Sequence, residues 1–363
     1  MISIDIRVKR GKFKLETTFK VPSSGVTALF GPSGSGKTTI VNAIAGLLRP
    51  DSGHIAVDRR MLFNSAAGIN VEIHKRRLGY VFQEGRLFPH MTVRRNLLYG
   101  RPRHTINGPD LNDISRLLGL DPLLERRPAS LSGGERQRVA IGRAMLARPG
   151  ILLMDEPLAS LDAARRQEIL PYLTRVREQL EIPVIYVSHQ MDEVIRIADT
   201  LVLLSEGRVA ATGSVEDLTG RLDLRPITGR HEAGAVLACR VAEHDLDFSL
   251  TRLEFGANSI WVAAVNASVG EKLRLRVRAR DVSIALGAPD GISILNVIPA
   301  EVAEITDGTG PQIDIRLALD GVSIWARITK RSAHELELHP GRQVHAMIKA
   351  AAIDRGSLGP YAG

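Results

Sequence analysis

The chain carries Gly31-Pro32-Ser33-Gly34-Ser35-Gly36-Lys37-Thr38, which fits the pattern G-x-x-x-x-G-K-[ST] of a phosphate-binding loop, or P-loop. The apolar run Val26–Phe30 precedes it and predicts a buried strand, and a helix is expected after it. In such a loop backbone N–H groups converge on phosphate oxygens, and the positive end of the helix adds to the attraction. The stretch, together with Thr39, predicts a nucleoside triphosphate site in which Lys37 reaches the β- and γ-phosphates and Thr38 holds Mg²⁺.

The chain around this loop has the pattern of an α/β domain. Residues 1 to about 220 alternate apolar runs with helical stretches, which is typical of a largely parallel sheet. The runs Ile151–Met154 and Val184–Val187 predict two more buried strands, and Glu135–Ala147 and Ala163–Gln179 predict helices. Each of these strands is followed by polar residues, at the place where open α/β sheets bind their ligands.

The hydrophobic pattern of the sequence changes after Gly220, where short segments with strand-like alternation begin to dominate. Two of them are Lys272–Arg278 and Gln312–Leu317, and Gly, Asn, Asp and Pro separate such strands. We therefore predict a nucleotide-binding domain over residues 1–230 and a separate β-rich domain over residues 231–363.

The β-rich part contains a repeat. Val241-Ala242-Glu243 and Ser259-Ile260-Trp261 match Val302-Ala303-Glu304 and Ser323-Ile324-Trp325 in the same order. Short matches can arise by chance, but their shared order favours duplication. The expected result is two small OB-like barrels, over residues 236–290 and 291–355.

Bulk composition limits the possible classes of protein. The chain has 363 residues, 44% of them hydrophobic and 24% charged, which suits two globular domains. No apolar run approaches the roughly 18–20 residues of a membrane-spanning helix. The beginning of the chain, Met1–Asp5, lacks the form of a signal peptide, and the single cysteine, Cys239, excludes an internal disulfide. These features favour the cytoplasm.

The basic excess of the chain raises the question of nucleic-acid binding. The 48 Lys and Arg exceed the 40 Asp and Glu, which gives a net charge of +8. The arginines are spread over amphipathic segments, and five Tyr, eight Phe and two Trp do not suggest a platform for stacking bases. We therefore expect no nucleic-acid partner.

Two acidic residues, Asp155 and Glu156, directly follow the predicted strand Ile151–Met154. At such a position one carboxylate can help to hold Mg²⁺, and a second can polarise an attacking water. We assign Asp155 to the metal and Glu156 to the water. An acidic pair after a strand is otherwise more often a turn or a helix cap, but the P-loop earlier in the chain favours the catalytic interpretation.

A second glycine-containing helix start is Leu131-Ser132-Gly133-Gly134-Glu135-Arg136-Gln137. It fits a second anion site at a helix N-terminus, or an ordinary N-cap with Glu135 in the first turn. The motif resembles the signature sequence of ABC ATPases, which the P-loop almost always accompanies. The resemblance implies a head-to-tail pair of chains, in which ATP on one P-loop meets Ser132, Gly133 and Gly134 of the other.

The same resemblance assigns roles to three further positions. Gln83, in Tyr80-Val81-Phe82-Gln83, matches the Q-loop, which contacts Mg²⁺ or water and responds to the membrane partner. Ser160-Leu161-Asp162 matches the D-loop at the interface between the two chains. His189 matches the switch histidine, which implies a contact with the γ-phosphate and with Glu156.

One position departs from the family pattern. Many members stack adenine on an aromatic residue about 21–23 positions before the P-loop, where this chain has Val8-Lys9-Arg10. Phe13 and Phe19 are nearby but also fit core positions of a strand. The sequence therefore gives no clear stacking residue.

Longer stretches resemble the ATPases of molybdate importers. They are Gly79–His90 and Pro157–Asp162, and the exposed apolar loop Arg86–Met91 suits docking of a membrane subunit. In the β-rich part, Asn296–Val302 and Ala326–Gly341 resemble small barrels that bind molybdate and tungstate. A tetrahedral oxyanion needs hydroxyls, N–H groups and a cation. The candidates are Ser293, Asn296, Lys330 and Ser332, although all four also fit turn and cap positions.

The resemblance implies a chain that works at the cytoplasmic face of the cell membrane. Its expected partners are a second copy, transmembrane permease subunits and, indirectly, an external molybdate-binding protein. Molybdate is also a candidate regulatory ligand of the β-rich domain. The alternatives are another oxyanion such as tungstate or sulfate, an ABC ATPase without a transport role, and an oxyanion sensor.

Overall fold

The computed structural model describes residues 1–102, 109–179, 182–221, 223, 224, 227, 234–306, 310–350 and 358–360. The chain forms two compact units, Met1–Gly213 and Ser214–Gly363. The domain boundary predicted after residue 230 lies outside the described residues. The short helix Val215–Thr219 belongs to the second unit, where Glu216 pairs with Arg274 at 2.6 Å.

The first unit contains eleven strands within the described residues, arranged in two sheets. A six-stranded sheet has the order β11-β10-β3-β9-β8-β7, and a five-stranded sheet has the order β2-β1-β4-β5-β6. The strands are β1 (Ile2–Arg10), β2 (Phe13–Val21), β3 (Val26–Phe30), β4 (Ser52–Val57), β5 (Arg60–Asn64), β6 (Ile69–Asn70), β7 (Leu78–Val81), β8 (Ile151–Asp155), β9 (Val184–Val187), β10 (Thr200–Ser205) and β11 (Arg208–Ser214).

The six-stranded sheet confirms the predicted α/β architecture. Its neighbours β10 and β3, β3 and β9, β9 and β8, and β8 and β7 are all parallel. Strands β3, β8 and β9 are buried along their whole length, which explains why their sequences are continuous apolar runs rather than alternating ones.

Helices flank this sheet. They are α1 (Lys37–Ala45), α2 (Val93–Leu98), α3 (Leu111–Leu117), α4 (Gly133–Leu146), α5 (Ala163–Gln179) and α6 (Met191–Ile197). The predicted range of α5 is confirmed, and α4 begins two residues before the predicted Glu135 because Ser132 caps it. Among the described residues no helix is both long and apolar enough to cross a membrane.

The core of the first unit lies between its two sheets and α1. Ile2, Ile4 and Ile6 alternate along β1 and point into this core, where they join Ile40 and Ile44 of α1 in one buried cluster. Burial of the apolar face of α1 in this way fixes the helix that begins at the P-loop.

Buried Arg76 fixes the other end of α1. Its Nη1 donates hydrogen bonds to Ala43 O at 2.8 Å and to Ile44 O at 2.7 Å, and its Nε donates to Val71 O at 2.8 Å. Carbonyls of the last turn of a helix lack i+4 partners, so these bonds supplement the cap bond from Gly46 N to Ala43 O at 3.2 Å. Both ends of α1 are thus held, one by the P-loop and one by Arg76.

The second unit is built from two five-stranded antiparallel sheets that share one hydrophobic core. Their orders are β14-β13-β12-β15-β21 and β16-β20-β17-β18-β19, in agreement with the predicted pair of OB-like barrels. The strands are β12 (Gly234–Asp245), β13 (Leu250–Phe255), β14 (Asn258–Ala263), β15 (Lys272–Arg278), β16 (Val282–Ala285), β17 (Asn296–Ile305), β18 (Gln312–Leu319), β19 (Val322–Thr329), β20 (Gln343–Ile348) and β21 (Leu358–Pro360), and a short helix covers Lys330–Glu335.

The repeated Val-Ala-Glu segments have the same geometry in both sheets. The pairing of β12 with β13 shifts register between Val241 and Glu243, and that of β17 with β18 shifts between Val302 and Glu304. In both copies the valine carbonyl accepts from a glycine amide, Gly270 N to Val241 O and Gly341 N to Val302 O, each at 2.8 Å. The matched β-bulges bend the long strand at the same point in each sheet.

The fifth strand of each sheet comes from the other copy of the repeat. Strand β16, which belongs by sequence to the first copy, pairs with β20 of the second. Strand β21 follows the second copy and pairs with β15 of the first. Each sheet is therefore completed by a strand from the other half of the repeat.

Candidate functional site

The P-loop connects β3 to α1 and depends on its glycines. Gly31, Gly34 and Gly36 have φ values of 159°, 82° and 104°, a region that L side chains rarely adopt. A Cβ at Gly31 would also lie 2.1 Å from Leu204 O. Only glycine fits this conformation, which leaves the backbone accessible to a phosphate.

Lys37 points into the concave side of this loop. Its Nζ donates to Gly31 O at 2.8 Å and to Pro32 O at 2.9 Å, and the residue is only 5% exposed. Burial lowers the pKa of the Lys37 ammonium, while the charges of Glu156 and Asp155 oppose this change. The loop therefore holds a partly desolvated cation where phosphate oxygens would bind.

Asp155 and Thr38 form the predicted metal-binding pair. Thr38 Oγ1 donates to Asp155 Oδ1 at 3.1 Å, and Tyr80 Oη is 3.3 Å from Asp155 Oδ2. Burial raises the pKa of Asp155, although the hydrogen bonds from the Thr38 and Tyr80 hydroxyls partly oppose this change. A hydroxyl and a carboxylate are the hard oxygen donors that Mg²⁺ prefers, so the residues fit this ion.

Glu156 and His189 lie side by side, as the resemblance implied. His189 Nδ1 is 3.3 Å from Glu156 Oε2, and both side chains remain partly exposed. Glu156 has a φ of 47°, the left-handed region, and its N–H donates to Val187 O at 3.1 Å. Left-handed backbone is costly for a glutamate, and such strain is often found at functional sites.

The order of the strands brings the predicted catalytic residues to one edge of the sheet. Leu29 of β3 is paired with Val187 of β9, and Val187 with Asp155 of β8. Val81 of β7 is paired with Met154, so the exposed Gln83 follows the next strand along. The P-loop, His189, the two carboxylates and Gln83 thus follow four adjacent parallel strands at their carboxyl ends.

The signature segment begins α4 with a capping box. Glu135 N donates to Ser132 Oγ at 3.2 Å, and Ser132 N donates to Glu135 Oε2 at 2.6 Å, which lowers the pKa of Glu135. A Cβ at Gly134 would lie 3.0 Å from Ile169 Cδ1 of α5. The ordinary-cap interpretation therefore holds for Ser132 and Glu135, and it leaves the other N–H groups of the helix start available to an anion.

The D-loop residue Asp162 precedes α5. Its Oδ1 accepts from Arg165 N at 2.9 Å, and its side chain is 58% exposed. Asp162 therefore caps the helix while remaining on the surface of the first unit.

Comparison with known proteins agrees with this geometry. The family model "ABC transporter" matches residues 15–159, and the model "TOBE domain" matches residues 292–354. The molybdenum import ATP-binding protein ModC of Paramagnetospirillum magneticum is 49% identical over 360 residues, 99% of both chains. The chain is an ATPase of the ABC transporter family. A ModC protein of Mesorhizobium japonicum is 49% identical over 99% of this chain and 97% of its own.

A solved structure supports the fold of this ABC ATPase. It is cbiO1 from Clostridium perfringens, described as part of the ABC transporter complex cbiONQ. It is 25% identical and covers 62% of this chain and 92% of its own, with a TM-score of 0.52. The shared part corresponds in length to the nucleotide-binding unit.

The two phenylalanines considered for adenine stacking have different positions in the ABC ATPase. Phe19 is 5% exposed and belongs to the core between the sheets. Phe13 is partly buried against the same core, and its Cζ would lie 3.2 Å from a Cβ at Gly36. Phe13 is thus the one of the two that borders the P-loop.

Tyr80 contacts the site as well, although no motif assigns it a role. Its hydroxyl is 3.1 Å from Asn42 Oδ1 of α1 in addition to its contact with Asp155. Its ring stacks on Phe82 at 4.1 Å, and the Arg86 guanidinium lies 4.1 Å from the centre of the Phe82 ring. Tyr80 lies in β7 directly before the Q-loop, and this position was the only local sign of a role at the site.

We expect Tyr80→Phe to raise the Mg²⁺ concentration that gives half-maximal ATPase activity, by about three- to tenfold. The change removes one donor to Asp155 and leaves the stack on Phe82 in place. The measurement is ATPase activity as a function of free Mg²⁺ at saturating ATP. Tyr172→Phe is the control, since Tyr172 packs under Arg138 away from Asp155. An unchanged Mg²⁺ requirement would contradict this role.

The four candidate oxyanion residues of the second unit differ in their environment. Ser293 and Lys330 are exposed and Ser332 is half-buried, whereas Asn296 is 3% exposed. Asn296 Oδ1 accepts from Trp261 N at 2.7 Å, and its Nδ2 donates to Trp261 O at 2.9 Å and Ile348 O at 3.0 Å. Asn296 therefore clamps β14 to β17 and β20, and its amide is already occupied by backbone groups.

We expect Asn296→Ala to lower the free energy of unfolding of the second unit by about 2–4 kcal/mol, because three buried or half-buried backbone groups lose a partner. The chain has two tryptophans, Trp261 and Trp325, and both lie in this unit. Their fluorescence during urea unfolding thus follows the second unit selectively. Ser293→Ala, at an exposed position, is the control, and equal midpoints for the two variants would refute the clamp.

Proposed function

We propose that this ABC ATPase drives the import of molybdate and that two copies work together. The carrying observation is the edge of the parallel sheet, where Thr38, Asp155, Glu156 and His189 meet through contacts of 3.1 to 3.3 Å. Full-length similarity to proteins named molybdenum import ATP-binding proteins supports the choice of cargo.

Each residue at this edge has a chemical task in the proposal. Bound Mg²⁺ would neutralise charge on the phosphates of ATP, held by Thr38 and Asp155. Lys37 and the P-loop amides bind the β- and γ-phosphates. Glu156 orients the attacking water and accepts its proton, and His189 fixes the Glu156 carboxylate at 3.3 Å.

The proposed pair of chains gives the signature segment its function. The start of α4 has N–H groups that its own capping box does not use, and the half-buried Gly133 places no side chain over them. Facing the γ-phosphate of ATP on a second chain, this helix start would stabilise negative charge. The exposed Asp162 would then lie at the interface between the two copies.

A surface next to the Q-loop is proposed to receive the permease. Phe88 packs against Tyr99 with ring centres 4.3 Å apart, and the Arg143 guanidinium lies 5.3 Å from the Phe88 ring. Tyr99 is 52% exposed and its neighbour Leu98 is 36% exposed. A helix of a membrane subunit with an apolar face fits this surface, which would place the chain at the cytoplasmic face of the membrane.

The test reconstitutes the chain in liposomes with its permease and binding protein. We expect the binding protein loaded with molybdate to stimulate ATP hydrolysis and molybdate uptake. Binding protein mixed with tungstate or with sulfate provides the comparison between cargoes. If only the sulfate-loaded binding protein stimulated hydrolysis, sulfate rather than molybdate would be the cargo. The absence of any stimulation would refute the importer role.

We also propose regulatory oxyanion binding by the β-rich unit, supported by the exposed Lys330 and the half-buried Ser332. Titration of the full chain with molybdate, tungstate and sulfate, followed by calorimetry, tests it. We expect Lys330→Gln to weaken molybdate binding. The control is Arg331→Gln, on the same short helix, since the Arg331 Nε pairs with Glu335 at 2.7 Å. Equal weakening by both variants, or no binding to the unaltered chain, would overturn this proposal.

A further inference from the structure

Glu193 is a buried carboxylate outside the set of motifs. It lies in the first turn of α6 and is 4% exposed. Its Oε2 accepts from Ser188 Oγ at 2.7 Å and from Tyr186 Oη at 2.9 Å. Its Oε1 lies 3.3 Å from the Nε of Arg166 in α5. Three side chains thus meet at one carboxylate, two from the end of β9 and one from α5.

The contacts of Glu193 fix both neighbours of the switch histidine. Ser188 precedes His189, and the Ser188 hydroxyl that donates to Glu193 also accepts from Gln190 N at 3.0 Å. Ser188 N in turn donates to Leu29 O of β3 at 3.4 Å. The backbone on each side of His189 is therefore tied to the carboxylate, and His189 itself is free to contact Glu156.

On its other side the same carboxylate is tied to the D-loop. Arg166, which pairs with Glu193, also donates from Nη2 to Leu161 O at 3.3 Å. The Arg166 amide donates to Asp162 O at 2.9 Å. One guanidinium thus contacts a D-loop carbonyl and the carboxylate that holds Ser188–Gln190, the histidine segment.

The energetics of burial favour a positional role for this group. Burial raises the pKa of Glu193, and the two hydroxyls and the Arg166 charge act in the opposite direction. A buried ion pair adds little net stability compared with well-packed apolar residues, because both charges lose their hydration. Buried polar networks instead specify one arrangement of the groups that they join.

We propose that Arg166 and Glu193 form a brace that sets the position of His189 according to the position of the D-loop. Both are positioning residues, since they act on Glu156 only through His189. Within the proposed pair of chains, docking of the D-loop at one ATP site would change the position of the brace. The brace would then change the position of His189 at the other site. This last step rests on the proposed function, whereas the brace itself lies within one chain.

The test compares variants of the full chain in steady-state ATP hydrolysis. Glu193→Gln keeps the shape and an oxygen acceptor but removes the ion pair. We expect kcat to fall about tenfold or more, with KM for ATP changed less than about twofold and Tm within about 2 °C. The double variant Glu193→Gln/Arg166→Gln leaves neither charge buried, and we expect its kcat to equal that of Glu193→Gln, since the two residues act as a unit.

The control is Arg196→Gln. Arg196 Nη1 donates to Gln167 Oε1 at 3.3 Å and so also joins α6 to α5, but it contacts neither the histidine segment nor the D-loop in this bond. The brace would be overturned if Arg196→Gln lost as much kcat as Glu193→Gln. It would also be overturned if the loss of kcat among the variants followed their Tm, or if the losses of the two single variants added up in the double variant.

The proposed pair of chains is checked separately, by the specific activity of the unaltered chain over a range of protein concentrations. Activity independent of concentration would count against the shared ATP site. A loss of kcat confined to the Glu193 and Arg166 variants would still support the brace within one chain.

Discussion

Glu156→Gln is expected to lower the rate of ATP hydrolysis by about 10²–10⁴-fold, the range typical of losing a general base. The amide cannot accept a proton from the attacking water, although it has the same shape and can still contact His189, 3.3 Å away. The P-loop is unchanged, so ATP should bind as tightly as before. Phosphate release at saturating ATP gives the rate, and calorimetric titration gives the affinity.

The chain contains a matched control for this experiment. Glu206 follows β10 as Glu156 follows β8, and its φ of 48° is almost that of Glu156, 47°. Glu206→Gln therefore makes the same chemical change in the same backbone conformation, after a strand that carries none of the residues assigned to ATP hydrolysis. Activity of Glu156→Gln within a factor of three of the unaltered chain would show that another group activates the water.

Lys37→Met is expected to weaken ATP binding by about 100-fold or more. The ammonium supplies charge-assisted hydrogen bonds to phosphate, each contributing about 1.5–3 kcal/mol, and methionine has a side chain of similar length without a donor. The side chain of Lys37 is buried, and its pKa is lowered by desolvation. Removing the charge should therefore leave Tm unchanged or raise it, so loss of binding will not reflect unfolding.

Calorimetric titration with ATP and Mg²⁺ measures this effect, with Tm recorded for each variant. Lys14→Met, at an exposed position of β2, controls for the loss of one positive charge from the first unit. Retention of ATP affinity within twofold in Lys37→Met would mean that the loop amides alone bind the phosphates.

The sequence predicted the parallel sheet and the residues at its edge because both depend on local patterns. Buried strands such as Ile151–Asp155 are continuous apolar runs, and Asp155 follows from its place at the strand end. The pairing of His189 with Glu156 required the order of the strands, β3-β9-β8-β7, and came only from family resemblance.

Other features lay beyond the sequence because they depend on distant partners. Nothing local distinguishes buried Glu193 from an exposed glutamate in the first turn of a helix, and its partners Arg166 and Tyr186 lie in other elements. Asn296 was a candidate oxyanion ligand because of its polar amide, but in the structure that amide bonds to backbone groups of two other strands. Tertiary contacts decide the role of such polar residues.

The crossing of β16 and β21 between the two halves of the second unit has a consequence for assembly. If the halves were separate molecules, the same exchange would make a dimer whose formation follows mass action. Here a covalent link holds each donor strand at a fixed, high effective concentration near its acceptor. The arrangement is thus independent of dilution, as expected of a swapped homodimer whose two genes have fused.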